Sequence, residues 1–164
     1  MNNDPQSHRM YGILVLFDMQ TDFLLKALDG ISQEDAQKRL NTQANHIAWI
    51  TGSIVAGRYY LADQLGISKS SVTDDLFKDN RGLIEDATYP TLSALKADWL
   101  EITPPLKEAL TAADEQTLNQ LVKMPNMEFP LFDMITFTCY REANCIGQIA
   151  LWRRLLNYQA MKYM

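Results

Sequence analysis

The stretch from Tyr140 to Leu156 reads YREANCIGQIALWRRLL, and its reading decides how the rest of the chain is understood. Arg141, Cys145, Gln148 and Trp152 recur at steps of three and four, so one side of a helix running from about Leu131 to Asn157 carries them together. The only two cysteines, Cys139 and Cys145, fall inside this segment. Six residues of helix set them roughly 9 Å apart along the axis and about 120° apart around it, beyond disulfide reach. They are expected as free thiols, in keeping with a reducing compartment. Arg153 and Arg154 sit where basic side chains complement the negative end of a helix dipole.

Three further helices are expected upstream. Met10, Leu14, Phe17, Thr21, Leu24 and Leu28 form a stripe that stops at Asp29-Gly30, with Asp18 and Asp22 on a solvated flank. Ser32 with Asp35 three positions later has the capping-box form and starts a short turn. A second main helix is expected from about Thr42 to Leu65, closed by Gly66. Gly52 and Gly57 inside it cost about 1 kcal/mol each against alanine, which close packing by a neighbouring helix would offset. From Ile67 to Tyr89 the chain is polar, including Ser68–Ser71 and Asp79–Gly82, and reads as a long connection. Pro90 opens a third helix that carries Leu92, Leu95, Trp99, Ile102 and Leu106 to about Ala113, and Pro104-Pro105 is expected to bend or interrupt it. Met124-Pro125 through Pro130 marks a second break. With no periodic strand pattern, an all-α four-helix bundle is the economical answer, as a single domain over residues 1–164.

Composition narrows the function. A formal charge of -5 and a pI near 4.9 disfavour nucleic-acid binding, which calls for a basic stripe. Apolar runs such as Ile13–Phe17 end at Asp18 and Asp22, far short of the roughly 20 residues a membrane span needs. The N-terminal residues lack a secretory signal pattern, which makes the cytoplasm the expected location.

The Tyr140–Leu156 phrase resembles the C-terminal helix signature of the DinB/YfiT-like family (DNA damage-inducible proteins), in which a histidine pair four residues apart sits in "HEAYHIGQIA". Asn45-His46-Ile47-Ala48-Trp49-Ile50-Thr51-Gly52-Ser53 resembles that family's second-helix phrase "N-x-I-A-W-x-x-G-H", and Tyr89-Pro90 matches the opening of its third helix. The resemblance implies a four-helix bundle with a long connection between helices 2 and 3, commonly a homodimer. It also implies a divalent metal such as zinc or nickel, held by one histidine from the second helix and two from the last. Activities found in the family include thiol-dependent transfer and metal-dependent hydrolysis.

All three ligand positions depart from that pattern, becoming Ser53, Arg141 and Cys145. A guanidinium stays cationic and offers only donors, so Arg141 cannot ligate a metal. At about 5 Å from a divalent ion and an effective dielectric of about 20 it would repel that ion by roughly 6 to 7 kcal/mol. That is a large part of the roughly 10 to 16 kcal/mol of a good structural zinc site. The family's metal is therefore expected to be absent. His46, Trp49, Gln148 and Trp152 are the candidate lining of what remains. Arg141 either pairs with an acid such as Asp18 or Asp22, or binds a small anionic ligand through its planar fork. Cys145 reads as a small buried hydrophobe rather than a nucleophile. The function expected from these residues is a metal-free ligand-binding or interaction module, related to stress-response bundle proteins. The alternatives are a purely structural stress-response partner, and a transferase or hydrolase acting through the altered site.

Overall fold

The computed structural model describes residues 4–78 and 81–163, and residues 79 and 80 of the expected polar connection lie outside it. The fold is mainly helical. Helix α1 spans Met10–Leu28, α2 Ile47–Gln64, α3 Leu92–Ala112 and α5 Leu131–Leu155, with a one-turn α4 at Glu115–Leu118. Among the described residues no helix is long and apolar enough to cross a membrane.

Each long helix packs against two others: α1 against α3 and α5, and α2 against α3 and α5. Their inward stripes share one buried cluster that includes Phe17, Leu24, Ile54, Leu61, Trp99, Ile102, Leu106, Ile146 and Ile149. Burying such side chains is the main driving force available to a chain of this size. Leu95 lies against Gly52, and the Tyr59 hydroxyl donates to the Asp98 carbonyl at 3.3 Å, so α2 and α3 run in the same direction. Two neighbouring helices in that relation cannot be joined by a tight turn, which accounts for the long segment between them.

The local signals act largely as the sequence indicates. Gly30 and Gly66 follow α1 and α2 with φ of 70° and 79°, a region that costs other residues energy. Ser32 Oγ accepts from the Asp35 N–H at 3.0 Å, opening a 3₁₀ turn at Asp35–Gln37. Helix α2 starts at Ile47 rather than Thr42, because His46 in extended conformation caps it with its imidazole. Helix α3 starts at Leu92 with Thr91 as its cap, so Pro90 stands before the helix rather than in its first turn.

Two expectations are corrected, and of the two outcomes expected at Pro104-Pro105 interruption is removed. Pro104 and Pro105 do not interrupt α3, which continues to Ala112. The carbonyls they leave without an N–H partner, four residues back, belong to Leu100 and Glu101, both exposed to water. The break at Met124–Pro130 is a β-hairpin, so the chain is not purely α: β1 (Leu121–Met124) pairs antiparallel with β2 (Met127–Pro130). Its four-residue strands are too short for alternation to be visible, and Pro125-Asn126 make the two-residue turn. Arg153 is not simply a dipole partner of its own helix. It is buried, donating to the Ala27 carbonyl at 2.9 Å, to the Asp29 carbonyl, and to Gln159 at 3.1 Å, so it closes the C-terminal end of α1.

Candidate site between helices α2 and α5

Helices α2 and α5 run antiparallel: Ser53 lies opposite Arg141, while Asn45 near the start of α2 meets Trp152 near the end of α5. This arrangement brings Ser53, Arg141 and Cys145 together. Arg141 Nη1 donates to the Ser53 carbonyl at 3.0 Å, and a Cβ placed on Gly57 would come within 3.2 Å of that same nitrogen. Gly57 is thus the gap in α2 that admits the guanidinium. At Gly52 a Cβ would come within 2.8 Å of the Phe77 ring, from the connection after α2, and within 3.8 Å of Leu95 on α3.

Ser53 is buried, and its hydroxyl donates back to the Ile50 carbonyl at 2.9 Å. Cys145 is buried too, and burial pushes its thiol above the usual value, against the opposing pull of Arg141 and Ser53 beside it. Arg141 is half-buried and makes no ion pair among the described residues. The acids expected to hold it are engaged elsewhere, Asp18 with Lys107 at 2.8 Å and Asp22 with Lys26 at 2.7 Å.

The other lining candidates serve different ends. His46 Nδ1 accepts from the Trp49 N–H at 3.1 Å and its ring stands edge-on to Tyr89, so it caps α2 two turns from Ser53. Its imidazolium is held below the ordinary 6.5 by burial and then by Arg39. Gln148 is exposed and donates to Asn144 at 2.7 Å. Trp152 is buried and donates its indole N–H to the Asn45 carbonyl at 3.0 Å. Trp49 tilts against Phe77, and its buried indole nitrogen has no partner among the described residues.

The donor set does not fit a divalent metal. It offers one thiol that burial keeps protonated, a hydroxyl and a permanent cation. Among the described residues no group of three His, Cys, Asp or Glu side chains is placed to hold an ion. Two open hollows lie elsewhere. One of about 250 Å³ is bordered by Tyr59, Tyr60, Asp63, Lys69 and Phe77, the other of about 420 Å³ by Ile31, Gln33, Thr91 and Lys96. Neither reaches Arg141.

The residues next to Gly57 and Arg141, on the core side, form a feature that pattern reading passed over. Arg58, with no exposed surface, forms a two-pronged ion pair with Glu142, Nε to Oε1 at 2.7 Å and Nη2 to Oε2 at 2.9 Å. Its Nη1 donates to the hydroxyls of Thr21 at 3.0 Å and Thr103 at 2.6 Å. The guanidinium lies between the rings of Phe17 and Trp99, 4.0 and 3.4 Å from their centroids. Each of α1, α2, α3 and α5 therefore contributes to one polar knot. The sequence did carry a signal: Arg58 falls among Ile54, Leu61 and Ala62, and Glu142 among Ile135, Ile146 and Ile149, so two opposite charges interrupt two apolar stripes.

No known family profile matches the chain, and no curated protein matches it significantly.

Proposed function

We propose that the chain is a divergent four-helix bundle of the DinB/YfiT-like kind that serves as a metal-free ligand-binding or interaction module. The observation that carries this reading is the convergence of Ser53, Arg141 and Cys145. Three positions drawn from two distant stretches by resemblance alone meet between α2 and α5, with a cation at their centre. The same-direction packing of α2 and α3 and the long connection between them support the bundle. Function belongs to the site rather than to the fold, and a site centred on a guanidinium attracts anions where a histidine site attracts cations.

The reading includes a homodimer. Tyr11, Val15, Leu16 and Met19 on α1, with Phe137, Tyr140, Leu151 and Leu155 on α5, are the exposed apolar side chains it would cover. A transferase or hydrolase using Cys145 is not favoured, because burial holds that thiol protonated.

The test is metal analysis of the untagged chain beside a variant carrying Ser53→His, Arg141→His and Cys145→His together. Uptake of about one equivalent of zinc or nickel by the variant alone is the expected result. Stoichiometric metal in the natural chain would overturn the reading, and so would a well-folded triple variant that takes up none.

A further inference from the structure

We infer that Arg141, at the seam between α2 and α5, is a binding site for a small carboxylate monoanion, received by its guanidinium beside Ser53, Gly57 and Cys145. The inference rests on the metal-free reading above and names the ligand class of that same site.

A guanidinium carries five N–H donors in a planar fork. At Arg141 one bond is directed to the Ser53 carbonyl, and no carboxylate of the described residues lies within ion-pair distance. The adjacent Glu142 is committed to Arg58, with both of its oxygens used. A half-buried cation with a single carbonyl partner has lost part of its hydration without gaining a counter-ion, and charge-assisted bonds from an added anion would offset that loss. The same chain shows how it holds a guanidinium when the charge is settled internally: Arg58 has a two-pronged carboxylate, two hydroxyls and two ring faces. Arg141 has none of these.

Charge decides between oxyanions. The stretches Trp49–Gly57 and Met134–Gln148 contain no lysine or arginine besides Arg141, and the whole chain is acidic at -5. A phosphate near its second charge calls for several cations, whereas one planar fork matches one carboxylate. Arg141 borders neither of the two hollows described above.

The experiment is an NMR titration of the full-length, untagged chain at fixed ionic strength with sodium acetate, sodium phosphate or sodium chloride, with metal content measured on the same sample. Saturable acetate shifts centred on Ser53, Gly57, Arg141 and Cys145 are expected. Phosphate should give shifts at least several-fold weaker, and chloride no saturable response. Arg141→Gln should weaken acetate binding at least ten-fold. Arg141→Lys, which keeps the charge but loses the fork, should fall between. No saturable acetate response in a metal-free chain overturns the carboxylate inference alone, as does equal acetate binding by folded Arg141→Gln and Arg141→Lys variants. Tighter binding of phosphate overturns the choice of anion. Stoichiometric metal in the sample overturns the underlying metal-free reading instead.

Discussion

Glu142→Gln keeps the shape of the buried side chain and removes its charge, leaving Arg58 cationic at zero exposure with only Thr21, Thr103, one amide oxygen and two ring faces around it. Removing one partner of a buried ion pair costs about 3 to 5 kcal/mol, because the remaining charge still lacks water. For a domain of this size that corresponds to a drop in Tm of roughly 6 to 20 °C. Removing both charges should behave differently. In Arg58→Met/Glu142→Leu the hydroxyls of Thr21 and Thr103 lose the guanidinium but still donate to the carbonyls of Phe17 and Trp99 at 2.8 and 2.6 Å, so neither becomes an unsatisfied donor. The double variant is expected to lie well above Glu142→Leu and Arg58→Met in stability, with a coupling of at least about 2 kcal/mol in the cycle. Urea unfolding at pH 7 of the four proteins of that cycle, with Glu142→Gln beside them, measures this. A loss below about 1 kcal/mol for Glu142→Gln, or additive single losses in the double variant, would refute the argument.

Acidification should destabilise the chain through His46. Its folded-state value is depressed by burial and by Arg39, against the Ala36 backbone and Glu85, so the unfolded chain binds the proton more readily; stability falls once the pH drops below about 6.5 and levels off beneath the folded value. His46→Asn, which keeps a cap on α2, should flatten that part of the unfolding-versus-pH curve, and an unchanged slope would contradict the assignment. Both cysteines should resist thiol reagents at pH 8 until urea is added, since burial pushes Cys139 up to about 12 and Cys145 above its usual value; half-titration of either thiol near pH 7 would speak against this. Gly52→Ala sets a Cβ 2.8 Å from two Phe77 ring carbons, a crowding of about 1 to 3 kcal/mol against a helix gain of about 1. In a Phe77→Ala background the same change should turn stabilising by roughly 1 kcal/mol, and calorimetry on the four proteins would expose a failure to reverse sign.

What could be read in advance follows from the range of each interaction. The long helices were legible because their stripes repeat over several turns and because Gly30, Gly66 and Ser32 act within a few residues of themselves. The hairpin at Leu121–Pro130 was not, since four residues per strand give no period to detect. The start of α2 at Ile47 was less legible, because an imidazole cap such as His46 is less common than a hydroxyl or carboxylate one. The meeting of Ser53 with Arg141 could be anticipated only through resemblance, as nothing in either stretch names the other. The Arg58–Glu142 knot and the reach of Arg153 to α1 are long-range pairings 84 and 126 residues apart, decided by which helices become neighbours. Even so, a lone charge in each of two apolar stripes marked Arg58 and Glu142 as needing partners.

Diffraction data from the untagged chain, grown with zinc and nickel in the medium and recorded across both absorption edges, put the account to its most direct trial. The expected map shows the Arg141 guanidinium on the Ser53 carbonyl with no anomalous peak between α2 and α5. A peak there coordinated by Cys145 and a second side chain, with Arg141 swung away, would contradict it.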